Sequence, residues 1–199
     1  MGHREDLLEG AKRCLLEKGY ARTTARDIVA ASGANLASIG YHYGSKDALM
    51  RQAFIASSEE WGASVVQAPA TDDGAEKADA DPLERFAAVW DAFLQRIGAE
   101  REFIAAQVEV LGLLPRDAAL REAIGEVLPE GSEGLVAVFE GVPDTEVDPE
   151  AARIVGSFYQ ALLTGLMVQS LLTPDAMPSG QDLAAALRRV TAGEVLQRK

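Results

Sequence analysis

The 199-residue chain is predicted to be all-α. Three observations carry that reading. Apolar residues recur at three- and four-residue spacing through most of the chain, and no segment alternates as a half-buried strand would. Hydroxyl, Asn, Gly and Pro residues fall at the ends of the periodic segments, where helices start and stop. Apolar residues make up 48% of the composition, enough for a substantial core in a chain of this length.

The elements follow in order. Arg4–Lys18 places Leu7, Leu8, Ala11, Leu15 and Leu16 on one face, with Gly19 as its C-terminal stop. Thr24 is a hydroxyl N-cap for a short helix through Ser32, striped by Ala25, Ile28, Val29 and Ala31. Gly33 permits a sharp turn, and Asn35 caps a second short helix, Leu36–Tyr43, giving the pattern of a helix-turn-helix. Ser45 caps a longer helix from Lys46 to about Gln67, with Asp47 suited to its dipole and Ala48, Leu49, Ala53, Phe54, Trp61 and Val65 facing inward. The stretch 68–81, APATDDGAEKADAD, holds five acidic residues and no large apolar side chain, and is expected as a flexible acidic loop.

Pro82 opens a helix to about Ile97, with Leu83, Phe86, Val89, Trp90, Phe93 and Leu94 as its buried set. Gly98 and Ala99 form a joint before Arg101–Leu114. Pro115 precedes a helix over Arg116–Leu128, Pro129 is expected to interrupt it, and a further piece, Gly131–Glu140, ends at Gly141. Ile154–Leu172 contains nineteen consecutive uncharged residues. Its length approaches that of a membrane span, but Ser157, Gln160, Thr164, Gln169 and Ser170 and the lack of basic flanks make it a poor one. A helix apolar nearly all round needs burial on more than one side. Gln181–Val195 follows as an amphipathic helix, with Leu183, Ala184, Leu187, Val190 and Leu196 in step. Helices near 150–173 and 181–196 therefore suggest a four-helix interface between two copies.

Composition narrows the function classes. The net charge is −12, yet residues 1–55 hold eight Lys/Arg (Arg4, Lys12, Arg13, Lys18, Arg22, Arg26, Lys46, Arg51) and six Asp/Glu. That segment is +2 and the rest −14, an asymmetry that permits nucleic-acid binding without proving it, since an ordinary mixed-charge surface also accounts for it. Cys14 is the single cysteine, in register for packing in the first helix, which fits a reducing cytoplasm. His3 and His42 cannot build a histidine-rich metal site. No signal-like N-terminal segment is seen, so a cytoplasmic protein is expected. No paired catalytic carboxylates, nucleophile elbow, phosphate loop or metal cluster stands out, so neither an enzyme nor a cofactor or metal is expected.

The segment TTARDIVAASGANLASIGYHYGSKDAL, preceded by Lys18-Gly19-Tyr20, resembles the N-terminal domain of the TetR family of transcriptional regulators. The matching features are Thr23-Thr24, Ile28 to Ala30, Gly33, Ile39, Tyr43 and the exit run Gly44-Ser45-Lys46-Asp47-Ala48-Leu49. The resemblance implies a three-helix DNA-binding domain, 1–45, joined to a larger helical effector-binding and dimerisation domain, 46–199. It implies a homodimer, a double-stranded DNA operator and a small-molecule effector as partners. It also places the third helix in the major groove, with Asn35, Leu36, Ala37, Ser38, Gly40 and His42 toward bases and Tyr41 and Lys46 toward phosphates. Thr24 then serves as a phosphate clamp or only a cap, Asn35 as a reader or only a cap, and Tyr43 belongs to the core. Gly40 departs from the family pattern, in which an aromatic residue often stands there; it loosens the helix by roughly 1 kcal/mol relative to alanine.

An effector pocket is expected from the resemblance, lined by Trp90, Phe93, Phe103, Gln107, Glu109, Tyr159, Gln160 and Thr164, although core packing explains the same residues. Glu109 would favour a cationic or hydrogen-bonding ligand if it faced that cavity; it could equally face solvent or pair with an arginine. The competing reading is a helical ligand-binding or protein-interaction module that binds no operator.

Overall fold

A computed structural model describes residues 3–66 and 81–192. Most of the 68–81 stretch, the side chain of Val65 and the end of the last helix with Leu196 lie outside the described residues. The described elements are helical: α1 His3–Lys18, α2 Ala25–Ser32, α3 Leu36–Tyr43, α4 Lys46–Val66, α5 Pro82–Ala99, α6 Arg101–Leu113 and α7 Ala118–Glu140. A short α8, Pro149–Ala151, runs through a π-turn at Ala152–Gly156 into α9, Ser157–Leu172, and α10 is Gly180–Thr191. The chain packs as two compact units, Met1–Gly62 with Arg101–Leu128, and Ala63–Glu100 with Pro129–Lys199. By packing, then, α6 and the first part of α7 go with the helix-turn-helix, which a cut at residue 45 does not anticipate.

The first unit has one continuous core. Leu7, Ala11, Cys14 and Leu15 of α1 meet Ile28 of α2, Ile39 and Tyr43 of α3 and Leu49, Met50, Ala53 and Phe54 of α4. Ala106, Val110 and Leu120 from α6 and α7 complete it. Leu16, assigned to the same face as Leu7, is exposed instead. Burial pushes the Cys14 thiol up, in keeping with a packing role. Tyr20 packs edge-on to Phe54 with ring centroids 6.4 Å apart, and burial pushes its phenol up to about 12. Tyr43 is buried, and its hydroxyl donates to the Arg4 carbonyl at 2.6 Å.

In the second unit α10 crosses α5 closely. Gly180 N–H donates to Asp91 Oδ1 at 2.7 Å, and Ser179 with Asp182 forms a capping box at the start of α10. The Ser179 hydroxyl and N–H hold the Asp182 carboxyl below its ordinary range. The other buried set is aromatic. Phe139 of α7 lies among Phe86 (5.6 Å), Trp90 (5.2 Å) and Tyr159 (4.0 Å), with Phe93 beside Trp90 at 5.7 Å.

Two expectations about α7 need correction. It starts at Ala118 rather than Arg116, because the Asp117 carboxylate accepts from the Leu120 N–H at 2.9 Å and so acts as the cap. It also continues through Pro129 instead of breaking there. Proline leaves the Gly125 carbonyl without its usual donor, but Gly125, Glu126, Pro129 and Glu130 are all exposed, so water can take its place. The α8–α9 run is the one described helix long and apolar enough by length and composition to cross a membrane.

Candidate nucleic-acid interface

The site is built from two capped helix starts and the outward face of α3. Thr24 is extended, and its hydroxyl accepts from the Asp27 N–H at 3.2 Å while Asp27 Oδ2 accepts from the Thr24 N–H at 2.9 Å. Lys18 Nζ donates to the same carboxylate at 2.5 Å. The Lys18 hydrogen bond, followed by those from Thr24, holds the Asp27 carboxyl far below its ordinary range. A depressed carboxylate contributes stability above its unfolded pKa of about 3.9 and loses it as pH falls through the lower folded value. Thermal melts of the wild type should therefore fall below about pH 4 more steeply than those of Asp27→Asn. Parallel curves would show that the capping box contributes nothing to acid stability.

Gly33 adopts φ 71°, a left-handed conformation, and its N–H closes α2 on the Val29 carbonyl. Asn35 then starts α3, its side-chain oxygen accepting from the Ser38 N–H at 3.0 Å. At about 100° per residue, Ile39 and Tyr43 turn inward, and Leu36, Ala37, Gly40 and Tyr41 turn outward. Tyr41 is 85% exposed and Leu36 56%. His42 is half-buried, and its ring lies edge-on to Tyr41 with centroids 4.8 Å apart.

Two expected contact residues sit differently. Ser38 is only 9% exposed, less than its neighbours Leu36 and Ala37. The cause is its place on the inward flank of α3, beside Ile39. Lys46 is half-buried: Nζ pairs with Asp47 Oδ1 at 2.9 Å and donates to the Thr23 carbonyl at 3.4 Å. Its ammonium is thus shared between the Thr23 carbonyl and the exposed Asp47 carboxylate. The sequence reading passed over a better cation. Arg26 is exposed on the first turn of α2, two residues after the Thr24 cap, and forms no ion pair among the described residues. Arg22 is exposed nearby, its Nε donating to the Lys18 carbonyl at 2.7 Å. Their spacing from the cap was the available signal.

The expected effector residues divide between the two units. Trp90, Phe93, Tyr159, Gln160 and Thr164 belong to the second, where Trp90, Phe93 and Tyr159 join the aromatic cluster and Gln160 and Thr164 are half-buried. Phe86 and Phe139 complete that cluster and were not foreseen as lining residues. Trp90 is fully buried, and its indole N–H has no acceptor among the described residues. Burial, with Glu140 nearby, raises the Tyr159 phenol. Phe103, Gln107 and Glu109 belong to the first unit. Phe103 stacks on Trp61 at 5.3 Å, and Gln107 Nε2 donates to Ser58 Oγ at 2.7 Å. Glu109 is half-buried, and its carboxylate accepts from the backbone N–H groups of Tyr20 and Ala21, with no arginine paired to it among the described residues.

Residues 7–53 match the model of bacterial regulatory proteins of the tetR family, and residues 82–194 match that of the BetI-type transcriptional repressor C-terminal domain. Over 57 residues the chain is 39% identical to HTH-type transcriptional repressor AcnR of Corynebacterium efficiens and, equally, of Corynebacterium glutamicum. That match spans 29% of this chain and 28% of each relative. Among solved structures, multidrug binding protein EbrR complexed with proflavin is 26% identical with a TM-score of 0.61, covering 94% of this chain and 99% of that one. A TetR transcription regulator from Haloarcula marismortui shares the fold at 23% identity, TM-score 0.60, covering 96% and 95% of the two chains. A head with capped α2 and α3 that matches the tetR-family model, followed by a C-terminal family match that alone takes in more than half of the chain, settles the classification: this protein belongs to the TetR family of transcriptional regulators.

Proposed function

We propose that the chain is a homodimeric repressor that grips a palindromic operator and leaves it when a small molecule binds the second unit. The observation that carries the DNA reading is the outward face of α3, Leu36, Ala37, Gly40 and Tyr41, beside the capped start of α2 with its exposed Arg26. Leu36 and Ala37 suit contact with thymine methyl groups, and Gly40 lets the α3 backbone approach the bases closely. Thr24, the α2 amide groups and Arg26 suit a phosphate, and Tyr41 reaches a second one. Two heads related by a two-fold axis then read half-sites one helical turn apart or a multiple of it.

For the effector, the aromatic cluster around Phe139 supports a flat, π-rich ligand, with the unpaired Trp90 N–H seeking an acceptor atom. The similarity to EbrR, whose complex holds proflavin, favours the same class. Binding acts by shifting α4, and release follows if the ligand prefers the head spacing that does not fit the operator.

Selection from a randomised duplex pool followed by gel shift tests the reading. The wild type should enrich a palindrome, and repression of a reporter placed behind it should be relieved by the effector. Arg26→Ala should weaken all enriched duplexes by about tenfold and flatten the salt slope by about one unit per head, whereas Leu36→Ala should change preference at one position of each half-site. Absence of any enriched duplex favours the module without operator binding.

A further inference from the structure

Glu109 is a charged side chain that the DNA-reading surface does not use. Both of its oxygens go to backbone donors: the Tyr20 N–H donates to Oε2 at 3.0 Å and the Ala21 N–H to Oε1 at 2.9 Å. These consecutive N–H groups follow Gly19, whose φ of 86° is left-handed, and together they form the kind of backbone concavity that takes an anion. Gly19 suits that φ, which would strain any side chain, and a Cβ there would push the Glu109 carboxylate off its two donors. Among the described residues Glu109 forms no ion pair, so this turn is its whole engagement. The same turn leads straight into the reading helices: Thr23 Oγ1 donates to the Gly19 carbonyl at 2.7 Å, and Thr24 caps α2.

We propose that Glu109 is a positioning residue for operator recognition, clamping α6 to the α1–α2 turn so that a displacement of α6 carries α2 and α3 with it. The clamp rests on the reading of the chain as a dimeric operator-binding protein. A packed apolar contact would let α6 slide against the turn; a carboxylate held by two aligned N–H groups fixes both its distance and its direction. The orientation of each head, and hence the half-site spacing that a dimer accepts, is then set through Glu109.

The test uses the full-length protein, the duplex selected by the wild type, the same duplex with one base pair inserted between its half-sites, and a single half-site. The wild type should discriminate against the insertion. Glu109→Ala should lose at least about fivefold of that discrimination while binding the half-site like the wild type. Glu109→Gln, which keeps one acceptor oxygen, should fall between them. Unchanged discrimination in Glu109→Ala overturns the proposal, as does an equal weakening on every duplex including the half-site, which marks a contact that only stabilises the head. If Glu109→Ala does not fold, wild-type discrimination in Glu109→Gln overturns it. A wild-type chain that selects no duplex removes the operator reading itself and the clamp with it.

Discussion

Phe158→Glu should convert the protein to a monomer and weaken binding to the selected palindrome by at least about 100-fold. Phe158 is 48% exposed and Ile154 51% on a helix with no charged residue from Ile154 to Leu172, and Leu172 and Val190 are exposed as well. Sequestering one phenylalanine is worth about 1.5–3 kcal/mol, and a two-fold interface counts each residue twice. With about half of the ring already covered within one chain, the aromatic loss over two copies comes to about 1.5–3 kcal/mol, or one to two powers of ten in the dimer dissociation constant. A carboxylate buried without a partner in such an interface adds a further penalty. Sedimentation equilibrium and gel shift read the two consequences separately. Leu111→Glu, at an exposed leucine of α6, should leave both unchanged. A Phe158→Glu protein that sediments as a dimer and binds like the wild type would remove α9 from the interface.

Gly180→Ala should be the most damaging single methyl addition in the second unit, costing about 3 kcal/mol. A Cβ at Gly180 would run into the Ala87 carbonyl of α5 and press on the Asp91 side chain, which already accepts from the Gly180 N–H. A backbone carbonyl cannot turn aside as a long side chain can, so α10 must lift from α5 and stretch that hydrogen bond. For a chain of this size the melting temperature should fall by about 6–12 °C. Gly40→Ala is the matched control, since nothing lies within 4 Å of a Cβ there and the added methyl raises helix propensity. Its melting temperature should rise slightly while operator preference changes. Equal melting temperatures for Gly180→Ala and the wild type would show that α5 and α10 separate freely.

Much of the head was legible because its signals are local. Thr24, Gly33 and Asn35 act within three or four residues of themselves, as cap, turn and cap, and the structure has them in those roles. Ser38 and Lys46 were harder. A serine three residues after a cap lies outward or inward according to where the core touches the helix, and that depends on Ile39 and Tyr43 meeting α1 and α4. Lys46 was read from its charge, while its reach is set by the Thr23 carbonyl and Asp47. Pro129 misled for a related reason: the rule that proline ends a helix assumes that the freed carbonyl has no substitute partner, and here it faces solvent.

Periodicity, caps and an uncharged run of nineteen residues thus determined by themselves that the chain is helical, where α3 begins and that one late helix is apolar on most of its faces. Only the tertiary structure decided which side of α3 faces outward, that the aromatic rings of α5, α7 and α9 converge on Phe139, and that both Glu109 oxygens accept from the α1–α2 turn. The physical reason is range. Helix formation and capping are settled by hydrogen bonds a few residues apart, whereas Glu109 meets donors nearly ninety positions away, a pairing that no spacing rule encodes and that exists only once the core beneath it has packed.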